Sequence, residues 1–201
     1  EMMPMASTSP ELPALAATKD IKPYTFWDDQ TYVGIPLFIA GIIAKSEKES
    51  FRQDYTNKKS ANRLIKYNFH SEIDNYTQFV PMFLSTGLNL AGVEGRSNFG
   101  RYLASGALSY AIMAAIVNPI KYSAKEMRPD GSTRNSWPSG HTATAFVSAT
   151  ILHKEYGLTR SPWYSIFGYG VATATGVMRV LNHRHWVSDV LSGAGIRIFP
   201  T

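Results

Sequence analysis

An all-α helical bundle is the fold class this sequence predicts, and three observations carry it. Long uncharged stretches recur at 31–44, 76–93, 102–120, 141–152 and 161–178. Short polar loops separate the later ones, and strand-like β-branched alternation is scarce. Gly, Ala, Ser and Thr fill 76–93 and 161–178, and small residues let helices approach closely within a membrane. Residues 102–120 (YLASGALSYAIMAAIVNPI) come closest to the ~20 apolar residues that cross a bilayer. The bundle is therefore expected to be membrane-embedded. A soluble bundle is the alternative, because a buried core helix imitates a short span, and 31–44 and 141–152 are short enough to be buried soluble helices.

Taken in order, residues 1–24 are rich in Ala, Pro, Ser and Thr without a periodic apolar face, and read as a mobile tail. They lack the basic start and continuous apolar run of a signal peptide. Residues 25–201 are expected to form one helical domain, as a chain of 201 residues and 22.3 kDa allows. Segment 45–75 mixes Lys45, Lys48, Arg52, Lys58, Lys59, Arg63 and Lys66 with Glu47, Glu49, Asp54, Glu72 and Asp74. It reads as a solvated helical face, or alternatively as a basic collar for anionic headgroups. At the other end, 190–200 (VLSGAGIRIFP) is too short for a last span and is interrupted by Arg197, so the final helix is expected to be cut short.

Mean hydropathy is −0.15, low for an integral membrane protein, but the average hides the uneven distribution. A net charge of +5 favours lipid headgroups or phosphorylated substrates as partners, or is simply a basic soluble surface. The absence of cysteine excludes disulfides and thiolate metal sites. His70, His153 and His183 have no ligand-like partners nearby in sequence, so no metal site is expected. Nucleic-acid binding is not expected either, because the basic residues lack clustering and aromatic interleaving.

Three motifs in the last third carry chemistry: Lys121-x6-Arg128-Pro129, Pro138-Ser139-Gly140-His141, and Arg179-x5-His185-x3-Asp189. Lys121 and Arg128 lie about two helical turns apart, so both cations can project to one side of a helix end that Pro129 terminates. An ammonium and a planar guanidinium together suit the oxygens of a phosphate. Ser139 is placed to N-cap the following helix, whose free N–H groups attract anions, and Gly140 lets the backbone come close. His141 in the first turn can donate a proton to a leaving oxygen. His185 and Asp189 are four apart, so on one helical turn the carboxylate can hold the imidazole and leave its other nitrogen free as a nucleophile. Arg179 is a third cation. Each piece alone also reads blandly, as a helix end, a cap or a surface pair.

In this order the motifs resemble the type 2 phosphatidic acid phosphatase superfamily, which includes bacterial acid phosphatases and vanadium haloperoxidases. The resemblance covers roughly 102–196. One departure is Met178, where the family signature has Ser before the arginine. Only residues 130–137 separate the first two motifs, a compact plan that looks like the membrane lipid-phosphate phosphatases rather than the soluble members. The resemblance implies a membrane-embedded helical phosphatase acting on a lipid phosphate monoester or diphosphate, without cofactor or metal. In it His185 would attack phosphorus, Asp189 would orient it, and His141 would serve as acid and then base. Lys121, Arg128, Arg179 and the backbone at Ser139 and Gly140 would hold the phosphate. Its expected location is a bacterial inner membrane with the site facing the periplasm. The positive charge of 45–66 opposes that orientation, since it would place this loop and the motifs together in the cytoplasm. The alternatives are a soluble non-specific acid phosphatase and a non-catalytic lipid-binding protein of the same fold.

Overall fold

The computed structural model describes residues 33–46 and 70–196. The tail expected at 1–24, residues 47–69 of the charged segment, and 197–201 lie outside the described residues. Seven α-helices make up the described fold: α1 (Gly34–Ser46), α2 (Asp74–Thr77), α3 (Val80–Leu90), α4 (Phe99–Ala124), α5 (Gly140–Leu152), α6 (Pro162–Leu181) and α7 (Val187–Gly195). A π-helical turn, His153–Gly157, extends α5. There is no strand among the described residues, and the fold is all-α as expected.

Helix α5 is central. Nine of its thirteen residues are buried, so it is covered on nearly every side, in keeping with a sequence that carries no formal charge. Helices α3, α4, α6 and α7 all pack against it. Small side chains set the approach of α6: Ala145 and Ala149 meet Ala172, and a Cβ added at Gly168 would already lie 3.4 Å from the Ala149 Cα. The larger core cluster joins Tyr102, Met113 and Val117 of α4 to Ala143, Val147 and Ile151 of α5 and to Ile196.

Helix α4 begins where the Asn98 side chain accepts the Arg101 N–H at 2.9 Å and stops at Lys125, whose φ of 45° turns the chain into the left-handed region. Its 26 residues extend about 39 Å. Tyr102, Gly106, Ser109, Met113 and Val117 form one buried stripe, while Phe99, Leu103, Leu108 and Tyr122 stay exposed. Among the described residues α4 alone is long and apolar enough to cross a membrane. Only 22% of its most apolar window is buried, so packing inside the protein does not account for its composition.

One sequence expectation changes. The single stretch expected at 76–93 is two helices, α2 and α3, because Pro81 has no N–H to continue a helix and takes a place in the first turn of α3. Helix α7 is only nine residues long but is well packed. Ser188, Asp189 and residues 192–195 of α7 are buried, chiefly against α1. There Gly41 meets Ser192 and Gly195 meets Phe38 so closely that a Cβ on either glycine would collide.

Candidate active site

Lys121 occupies the last turn of α4, and the turn at Lys125 places Arg128 in the loop beyond it. The two cations therefore do not share one helix end, as the spacing suggested. The loop is held by Arg128 N–H donating to Thr133 O at 3.1 Å and Ser136 N–H donating to Glu126 O at 2.9 Å. Ser139 N-caps α5 as expected, its Oγ accepting the Thr142 N–H at 3.4 Å. Its own N–H donates to the Asp189 carbonyl at 3.0 Å, which ties the second motif to the third. A Cβ at Gly140 would sit 3.5 Å from Lys121 Nζ. That contact is ordinary, so sterics within the chain do not demand glycine; what glycine preserves is space before the ammonium.

Arg179, in the last turn of α6, is 6% exposed and pairs through Nη1 with Asp74 Oδ2 at 2.9 Å. The Nε atoms of Arg179 and Arg128 are both buried without a hydrogen-bond partner among the described residues. Buried donors of this kind are rare, and an anion bound between them would satisfy both. The two guanidiniums line a polar pocket of about 150 Å³ with Arg184, Asp74, Asn75 and Asn182.

His185 is buried in the segment between α6 and α7. Asp189 lies in the first turn of α7, so the pair spans a helix cap and not one helical turn. His185 Nδ1 is 3.5 Å from Asp189 Oδ2, longer than a direct hydrogen bond. Ser136, which the sequence did not single out, mediates: its hydroxyl donates to Asp189 Oδ2 and stands 3.5 Å from His185 Nδ1. The carboxylate also accepts the Trp186 N–H at 2.9 Å and the Ser188 hydroxyl at 3.3 Å. With Nδ1 turned toward this group, Nε2 is the nitrogen left for chemistry. Burial lowers the His185 pKa, and the cations Arg179 and Lys121 lower it further against the opposing pull of Asp189. The ring is thus held neutral, the form a nucleophile requires.

The His141 pKa falls from 6.5 to about 4 through burial first and then through Arg179, His185 and Lys121, with Asp74 opposing. Its folded value lies below the unfolded one, so the unfolded chain binds the extra proton and stability is lost as pH falls from 6.5 toward about 4. Thermal unfolding followed from pH 7 to 4.5 should show a smaller acid loss for His141→Gln than for the unaltered protein; equal losses would refute this.

The sequence profile of the PAP2 superfamily matches residues 102–199. Residues 102–199 thus carry a PAP2 superfamily domain. A lipid A 1-phosphatase of Porphyromonas gingivalis is 52% identical over 132 residues, which is 65% of this chain and 29% of that protein. The chain thus spans under a third of the length of the curated relative it matches. No solved structure matches it significantly.

Asp74 and Asn75, outside the PAP2 match, complete the site together with Asn182. Asp74, expected on a solvated charged face, is 1% exposed and paired with Arg179. Asn182 Nδ2 donates to the same carboxylate at 3.2 Å and to Ser71 O at 2.8 Å. Asn75 Oδ1 lies 3.0 Å from His141 Nε2. No spacing rule reveals these partners, since Asn75 and His141 are 66 positions apart and Asp74 and Arg179 are 105 apart. Arg184 pairs with Asp130 at 3.3 Å. The indole N–H groups of Trp137 and Trp186 donate to Ser192 Oγ at 2.8 Å and Met127 O at 2.9 Å.

Proposed function

We propose that this PAP2 domain hydrolyses a lipid phosphate monoester through a phosphohistidine intermediate, without a metal cofactor, at the surface of a membrane that α4 crosses. The observation that carries the reading is the buried Nε of both Arg128 and Arg179, without a partner among the described residues, beside Lys121 and two histidines. Three side-chain cations supply the charge that phosphoryl transfer needs in its transition state.

His185 Nε2 forms a bond to phosphorus as the phosphorus–oxygen bond to the lipid breaks, and His141 gives its proton to the departing oxygen. His141 then takes a proton from water, whose oxygen attacks phosphorus and releases His185. A phosphate dianion among the cations offsets the charge that depresses the His141 pKa, so the complex favours the protonated acid. The membrane reading rests on the exposed apolar surface of α4 and on an apolar groove of about 570 Å³. This groove reaches Val180 and Val187, next to Arg179 and two positions from His185, where an acyl chain would fit. The relative's name makes lipid A carrying a 1-phosphate the first substrate to test. On this reading the site faces the periplasm of a bacterial inner membrane.

Phosphate release by the detergent-solubilised protein should be measured from lipid A 1-phosphate, phosphatidate and p-nitrophenyl phosphate, with and without EDTA. Release from a lipid substrate, undiminished by EDTA, is expected. Lipid binding without release would overturn the catalytic reading, release from the soluble ester alone would overturn the lipid reading, and loss with EDTA would overturn the metal-free mechanism.

A further inference from the structure

We infer that Asn75 is a positioning residue for His141: its side-chain oxygen holds the ring so that Nδ1 carries the transferable proton. The inference rests on the phosphatase reading above and extends it to a residue outside the PAP2 match. Asn75 Oδ1 lies 3.0 Å from His141 Nε2. An amide oxygen can only accept, so this contact places a hydrogen on Nε2 and makes Nδ1 the nitrogen that gains and loses a proton. The arrangement parallels the one at His185, where Nδ1 is held and Nε2 is left for chemistry.

The anchoring of α2 gives the contact its fixed geometry. Asn75 N–H donates to Glu72 O at 3.0 Å, and its carbonyl accepts Gln78 Nε2 at 2.7 Å. Gln78 O accepts the Ser148 hydroxyl of α5 at 2.8 Å, and Thr77 meets Thr175 of α6 through their hydroxyls at 2.8 Å. Asp74, one residue before, is locked to Arg179 at 2.9 Å. A four-residue helix is thereby pinned to both α5 and α6 around Asn75. Its neighbours Ile73 and Tyr76 are 60% and 72% exposed, so the segment is not held by an apolar core of its own.

The charged and titratable groups facing His141 are Arg179 of α6, Lys121 of α4, His185 before α7 and Asp74 of α2. Both cations oppose a proton on His141, and only Asp74 favours one. A neutral acceptor at Nε2 supports the protonated ring without titrating itself.

Asn75 is exposed, so Asn75→Ala and Asn75→Asp should keep the fold. Turnover of a lipid alkyl phosphate, whose leaving oxygen needs a proton, is compared with turnover of p-nitrophenyl phosphate, whose leaving group needs little help. Asn75→Ala should lower kcat on the alkyl ester about 10-fold, with KM little changed and the aryl ester nearly spared. Asn75→Asp should raise the His141 titration, followed by ring NMR of the phosphate-free protein, above about 4. Equal losses on both esters, no loss on the alkyl ester, or a ring titration unmoved by Asn75→Asp would each overturn the assignment. Absence of turnover in the unaltered protein would sink the phosphatase reading instead, and the ring titration would still decide the Asn75 contact.

Discussion

Replacing His185 by alanine or glutamine is expected to lower kcat on the order of 10⁴-fold or more. The same change should abolish any acid-labile, base-stable phosphoenzyme. The expectation follows from position as well as residue type. His185 is 1% exposed, its Nδ1 faces Asp189 and Ser136, and burial keeps the ring neutral with Nε2 unused. Glutamine approximates the volume of the ring but cannot form the phosphoramidate, so loss of activity in a variant that still unfolds cooperatively isolates the chemistry. Rapid-quench trapping of the intermediate supplies the measurement, and substantial turnover without His185 would discard the nucleophile assignment.

Asp74→Ala should destabilise the protein by about 3–5 kcal/mol, because it strands a buried guanidinium without its counter-charge. The Arg179 Nε is already unpartnered, so the variant would leave both Nε and Nη1 unsatisfied inside the fold. Thermal unfolding should shift downward by on the order of 10 °C. Inorganic phosphate should recover part of the loss, since an anion beside Arg179 restores the missing charge. A melting temperature that does not move would show that Asp74 is not what holds Arg179.

The PAP2 motifs were legible because each is local. Pro138-Ser139-Gly140-His141 signals a capped helix start, and Ser139 does cap α5. Long uncharged stretches signal helices, and α4, α5 and α6 follow three of them. Legibility ended where a contact joins distant segments. Asp74 looked like one more charge in a mixed-sign stretch, yet it is the counter-ion of an arginine 105 positions later. Ser136, between the first and second motifs, resembled any loop serine, yet it bridges His185 and Asp189, 49 and 53 positions away. Spacing also misled at His185 and Asp189, where four positions suggested one helical turn and the chain instead enters a helix between them.

The sequence by itself determined the all-α class, the identity of the cations and histidines, and the order in which they occur, because helix periodicity, capping and motif spacing are short-range properties of the chain. Tertiary structure alone decided which groups hold those residues in place. It brought Asp74 to Arg179 and Asn75 to His141, and it seated the nine-residue helix of Asp189 on α1 through Gly41 and Gly195. The physical reason is burial. A charge or ring nitrogen withdrawn from water must find its partner wherever the packing of helices delivers one, and that packing is fixed by the whole bundle at once.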